Sequence, residues 1–274
     1  MDKSIEKIME ILPRKVSDFF NGNTGKNITE IRIRKGFEIK VSVDGVYHTV
    51  NETFTEQKEI NRIFYSLCNN TVSAFEEQLS HGFITLEGGH RVGVTGKFIK
   101  DENNYLLTDV YSMNIRISHF CKLEIEKNIL DFKKGLLIAG KPHSGKTTYI
   151  KNICYCLQDK NIAVCDERNE LYSRQINCDY IINMPKHIAV QQAVRTLNPE
   201  YIVCDEIGNN DEIIPITNGV ISGVKFICSV HRSSIQELYQ KSDISYLLSA
   251  SVFDRIVLLD SYKNNFYIKE ILDV

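Results

Sequence analysis

The residues with the most specific chemistry are Gly140-Lys141-Pro142-His143-Ser144-Gly145-Lys146-Thr147. They match G-x-x-x-x-G-K-[ST], a loop whose backbone N–H groups curl around phosphate oxygens. GLLIA before it has the composition of a strand, and TTYIKNICYCL after it has helical spacing, with Ile150, Ile153, Cys154 and Leu157 on the inner side. A strand, a glycine loop and a helix N-terminus in that order form an anion cradle. In this pattern Lys146 reaches the β- and γ-phosphates, and the Thr147 hydroxyl binds Mg²⁺ directly. The ATP-binding set therefore runs from Gly140 to Thr147 and takes in Thr148, and the implied ligands are ATP and Mg²⁺.

Two acids end an apolar run at YIVCDEIG. Asp205 is placed to act on Mg²⁺ through its water shell, and Glu206 to polarise the attacking water, since an in-line displacement by water needs a base there. Taken alone, this could equally be a strand end capped by solvated acids; the P-loop upstream gives it a role. Two further strand ends point into the same crevice, because ligands of parallel sheets bind at the carboxyl ends of strands. NIAVCDERNE brings Asp166, Glu167 and Arg168 there, with Glu170 close behind. VKFICSVHRSS brings His231, where it would meet the γ-phosphate or the active water; a lone histidine is otherwise structural or simply exposed.

These groups need elements to hold them. In the second half, GLLIAG, NIAVCDE, YIINM, YIVCDE, VKFICSV and RIVLLD are short apolar runs separated by helical patterns, as expected of strands buried on both faces of a parallel sheet. RIVLLD and NFYIKEI, split by the polar turn Lys263-Asn264-Asn265, read as a hairpin. The first half alternates at period two over ITEIRIRKGFEIKVSVDGVYHTV, with turns at Lys35-Gly36 and Asp44-Gly45. Residues 56–80 carry helical spacing, with Ile60, Ile63, Phe64 and Leu67 on one face. GFITLEGGHRVGVTGKFIK turns at Gly88-Gly89, and YLLTDVYSMNIRIS extends that sheet. The expectation is an α+β domain over 1–125 followed by a RecA-like α/β P-loop domain over 126–274, with HFCKLEIEKNILDF as the connection.

Bulk properties narrow the function classes. A formal net charge of −2 gives no general pull toward nucleic acid. No apolar stretch approaches the ~18 residues of a membrane span. The N-terminal MDKSIEKIMEILPRKV reads as a short amphipathic helix without the apolar centre of a secretory signal, so a cytoplasmic protein is expected. Eight cysteines occur without a CxxC pair, several inside apolar runs, and read as buried reduced thiols.

Across both halves the chain resembles the secretion ATPase superfamily of types II and IV and, within it, a sporulation family. The resemblance rests on EIRIRKG, GGHRVGVTGKFI, NIRIS, GKPHSGKTT, VCDERNE, VRTLNPEYIVCDEIG and SVHRSS. It implies a ring, taken as a homohexamer, with ATP between the two domains. It also implies that Glu167 and Glu170 assist metal and water, and that His231 acts at the end of a later strand. Arg91 and Arg116 would reach the phosphates from the N-terminal sheet, Arg195 would act from just before the acidic strand, and Arg32 and Arg34 would lie at the domain interface. The implied partner is a membrane-embedded platform protein, and the implied work is energising a mother cell–forespore channel from the mother-cell side. Two departures stand out. His143 and Ser144 replace small residues in the loop, and GNNDEIIPITNGVISG after the acids is short and lacks the extra arginine of the larger motors. Two other readings remain open: a nucleic-acid-stimulated ATPase, which the charge and the expected lack of an appended binding module disfavour, and an ATP-gated scaffold with little turnover, which Glu206 disfavours.

Overall fold

The computed structural model describes residues 3–23, 25–101, 104–208, 210–240, 242–262 and 265–274. Two compact units divide the chain, Met1–His119 and Phe120–Val274.

The first unit starts with α1 (Lys3–Ile11) and α2 (Arg14–Gly22). A single N-terminal helix was expected here; Pro13 interrupts it and serves as the N-cap residue of α2, because its ring denies the preceding turn a donor. There follow β1 (Ile28–Arg34), β2 (Glu38–Val43), β3 (Val46–Thr53), α3 (Gln57–Leu67), α4 (Glu76–Ser80), β4 (Phe83–Leu86), β5 (His90–Asp101) and β6 (Asn104–Arg116). The strands form one sheet in the order β3-β2-β1-β6-β5-β4, every neighbouring pair antiparallel. Asp44 and Gly45 both have positive φ, 51° and 83°, as a two-residue hairpin loop demands to match strand twist. Alternation assigns the faces. Ile31, Ile33, Val92, Met113 and Ile115 enter a core closed by Ile60, Ile63, Phe64 and Leu67 of α3, while Glu30, Arg32, Arg91 and Arg116 share the opposite, polar face.

The second unit holds α5 (Lys127–Leu130), β7 (Gly135–Gly140), α6 (Lys146–Cys156), β8 (Ile162–Asp166), β9 (Asp179–Ile182), α7 (Lys186–Thr196), β10 (Tyr201–Cys204), α8 (Ile213–Ile221), β11 (Lys225–His231), α9 (Ile235–Gln240), α10 (Ser242–Ser249), β12 (Arg255–Tyr262) and β13 (Asn265–Asp273). The sheet order is β13-β12-β7-β11-β10-β8-β9, parallel except for β13 at one edge. Both faces are covered, which explains the unbroken apolar runs. Leu137, Ala139, Cys165, Ile202 and Cys204 pack with α7, α8 and α10. Leu136, Ile138, Val164 and Val203 pack with α6. Within this unit the segment before β7 is tied to α6, because Asn152, fully buried, donates to Cys121 O at 2.9 Å and accepts from Leu123 N–H at 2.7 Å. The expected turn residues Lys263 and Asn264 lie outside the described residues.

All eight cysteines are free thiols. The reading of them as buried is corrected at Cys121 and Cys156, which are exposed, and Cys178 is half-buried. Cys156 falls on the solvent side of α6, while Cys154 two residues earlier faces the core. Among the described residues no helix is long and apolar enough to cross a membrane.

Candidate nucleotide site

From the end of β7 the chain turns through the exposed Lys141, Pro142 and His143 and enters α6 at Lys146. Gly145 has φ of +86°, and a Cβ there would meet the Phe266 ring of β13 at 2.5 Å, so both conformation and space require glycine. His143 has φ of +63°, where a side chain costs roughly 1–2 kcal/mol. The departure seen in the sequence thus stores strain at the tip of the loop. The Oγ of fully buried Ser144 has no hydrogen-bond partner, and an orphaned donor inside an N–H-lined loop fits an anionic ligand.

Lys146 is 6% exposed. Its Nζ donates to Gly140 O, Lys141 O and His231 Nδ1, each at 2.8 Å, so all three ammonium protons are engaged. Burial lowers its pKa to about 8, with Glu206 pulling the other way. A histidine nitrogen that accepts from an ammonium carries no proton, so the ring proton of His231 sits on Nε2. That nitrogen lies 3.3 Å from Glu206 Oε2, and Arg168 Nη1 lies 3.8 Å from the same oxygen. A continuous polar chain therefore runs from the phosphate loop through His231 and Glu206 to the loop after β8.

Asp205 Oδ1 accepts the Glu206 N–H at 2.7 Å and lies 3.2 Å from Lys186 Nζ, so its second oxygen is not used by either contact. With the Thr147 hydroxyl it supplies hard oxygen donors of the kind Mg²⁺ takes when phosphates and water complete its octahedron. The donor chemistry fits the metal. Lys186 is itself buried, lies 3.3 Å from Glu212 Oε1, and donates to the Glu206 carbonyl. Burial would lower its pKa, but Asp205 and Glu212 hold it above the ordinary lysine value.

The acids after β8 divide. Asp166 is fully buried, accepting from Glu170 N–H at 2.8 Å, Leu171 N–H at 2.7 Å and Tyr172 N–H at 3.0 Å. It folds the loop, and burial pushes its carboxyl up to about 6 against those donors. Glu170 and Asp166 both act electrostatically on Lys151 of α6, whose ammonium burial lowers. Glu167 is exposed directly after the strand. Arg195 does not join the cluster in its own chain. It is exposed in the last turn of α7, nine residues or about 13 Å along the axis from Lys186. In the first unit Arg91 and Arg116 stand opposite one another on β5 and β6, and Glu30 stands on the other side of Arg116. Like charges so placed repel unless a counter-charge is near. The Arg91 guanidinium also lies over the Phe83 ring at 4.5 Å.

A lysine loop, a histidine and paired acids thus gather at the carboxyl ends of β7, β11 and β10, one strand separating the loop strand from the acidic strand. Residues 2–274 match the family model for sporulation stage III, protein AA. The chain belongs to that family. The stage III sporulation protein AA of Bacillus subtilis (strain 168) is 27% identical over 298 residues, spanning 98% of this chain and 95% of the relative. Among solved structures, the Legionella pneumophila ATPase DotB gives a TM-score of 0.63 at 15% identity, over 90% of this chain and 75% of its own. The pilus retraction motor PilT, with bound ADP, gives 0.67 at 13% identity, over 94% and 83%. At such identities the likeness establishes the fold: a RecA-like ATPase domain preceded by a smaller α+β domain. In this stage III AA chain, sequence reading missed Lys186, Glu212, Asn152 and Phe266. Only Lys186 carries a signal, a cation at the first position of a helix, where the dipole disfavours it.

Proposed function

We propose that the chain is a Mg²⁺-dependent ATPase that cleaves the β–γ phosphoanhydride bond. Lys146 would leave its carbonyls and His231 for the β- and γ-phosphates; Thr147 would hold the metal directly and Asp205 through its water shell, and the metal would offset phosphate charge. Water attacks the γ-phosphorus in line, the bond to the bridging oxygen breaks, and the water's proton passes to Glu206. His231, released from Lys146, keeps Glu206 oriented through Nε2–H. Arg168 and Glu167 border this space. Arg195 takes no part in the site of its own subunit.

The observation that carries this reading is the contiguous Lys146–His231–Glu206 chain, which links the phosphate-binding lysine to the water-activating acid. Family membership supports the setting: endospore formation, with a hexameric ring docked on a membrane-embedded platform protein at the mother-cell side, energising assembly of or transport through the channel.

The test measures Mg²⁺-dependent ATP hydrolysis and oligomeric mass for wild type, Lys146→Ala and Glu206→Gln. Turnover by wild type is expected, with nucleotide binding lost in Lys146→Ala. Glu206→Gln should bind ATP and turn over at least 100-fold more slowly. A wild type that binds ATP and assembles, yet matches Glu206→Gln in turnover with and without its membrane partner, would make the chain a nucleotide-gated scaffold instead.

A further inference from the structure

The acidic loop after β10 is tied to β11 by Ser229, whose hydroxyl donates to the Asp205 carbonyl and whose carbonyl accepts the Ile207 N–H at 2.8 Å. Asp205 and Glu206 follow a strand of four residues. Two more buried side chains, Lys186 from α7 and Glu212 farther along the same segment, add to that hold. Lys186, at the start of α7, contacts Asp205 Oδ1, the Glu206 carbonyl and Glu212 Oε1. Glu212, 5% exposed at the start of α8, takes the Gly208 N–H on its other oxygen at 3.1 Å. Three points of the loop, the Asp205 side chain, the Glu206 carbonyl and the Gly208 N–H, are thus held by the Lys186–Glu212 pair.

A buried lysine at a helix N-terminus opposes both desolvation and the helix dipole. Its partners must compensate, and a purely structural site would be simpler if it were apolar. The grip also has a direction. Lys186 takes Asp205 Oδ1 and the Glu206 carbonyl together, and the Glu206 carboxylate beyond them meets His231.

We propose that Lys186 and Glu212 are positioning residues, a buried clasp that aims Asp205 at the metal's water shell and Glu206 at the attacking water. This rests on the ATPase reading of the same site. The clasp touches neither nucleotide nor metal and acts only through the two acids.

The experiment uses the full chain and a fluorescent ribose-labelled ATP, titrated with Mg²⁺ after a metal-free baseline in EDTA. Lys186→Met and Glu212→Gln each remove one half of the clasp. The double variant removes both halves and leaves the cluster's net charge at −1, as in wild type, so it separates charge balance from grip. Metal-free binding should stay within about twofold of wild type in all three, because the phosphate loop is untouched. Half-saturating Mg²⁺ should rise at least tenfold and turnover fall at least 100-fold, in the double variant as well as the singles. If the double variant regains the wild-type Mg²⁺ response, the pair only balances charge and the clasp is overturned. If all three variants lack a cooperative unfolding transition, the pair is a folding determinant and the proposal likewise fails. A wild type whose binding ignores Mg²⁺ would sink the ATPase reading and the clasp together; a wild type that responds beside variants that respond alike would sink the clasp alone.

Discussion

Lys146 shows how one buried charge couples ligand binding to pH. With its pKa lowered to about 8 by burial, the empty site holds it largely neutral at pH 9, although a free lysine would be charged there. Phosphate oxygens favour the ammonium form. ATP binding at pH 9 should therefore take up close to one proton, and at pH 7 almost none. Calorimetry in two buffers of different ionisation enthalpy checks this, and equal apparent enthalpies at pH 9 would contradict it. The sign for stability is the reverse of a salt-bridged lysine. Between pH 8 and 10.5 the unfolded chain binds the extra proton, so this group's share of stability grows as pH rises. At this scale the sequence was legible where a motif encodes a geometry, as in the loop glycines, Lys146, Asp205 and Glu206. At Lys186 it offers only an ill-placed cation at a helix start, whose partner stays hidden until Glu212 is folded against it.

Elements were legible where their period was clean. The Asp44-Gly45 hairpin and the apolar runs of β7, β8, β10 and β11 follow from turn chemistry and two-sided burial. The role of Asp254 was not, since nothing in its sequence neighbourhood points to β7. Its carboxylate accepts the N–H groups of Lys133 at 2.7 Å, Lys134 at 3.0 Å and Gly135 at 2.9 Å, and so anchors the start of the strand that ends in the phosphate loop. Burial pushes this carboxyl up, but those donors outweigh it and hold it below the usual aspartate value. Asp254→Ala should cost about 2 kcal/mol in denaturant unfolding at pH 7. A depressed carboxyl contributes stability above its unfolded pKa and loses it as pH falls through the folded one. The gap between variant and wild type should therefore narrow below pH 4. A gap that persists at pH 2.5 would point to lost packing rather than lost charge.

Over the whole molecule, each unit has its own core, one closed by α1 and α3 against an antiparallel sheet and one built on both faces of a parallel sheet. Phe120 and Ile125, within the stretch read as a connection, pack into the second core. We expect residues 120–274 to fold alone, with a cooperative thermal transition, and a fragment starting at 126 to melt lower because it gives up those two side chains and the Asn152 ties to Cys121 and Leu123. Equal midpoints for the two fragments would show the segment to be passive. This link was hidden in the sequence because Asn152 lies among the polar residues of α6 and looks solvated until Leu123 is laid across it.

The engagement of all three Lys146 protons with Gly140, Lys141 and His231 also sets a tempo. Nucleotide does not enter a vacant cradle; it replaces internal acceptors that must let go first. Observed association rates should rise with ATP concentration and then level off at the rate of that release, and weakening the His231 contact should raise both the plateau and the initial slope.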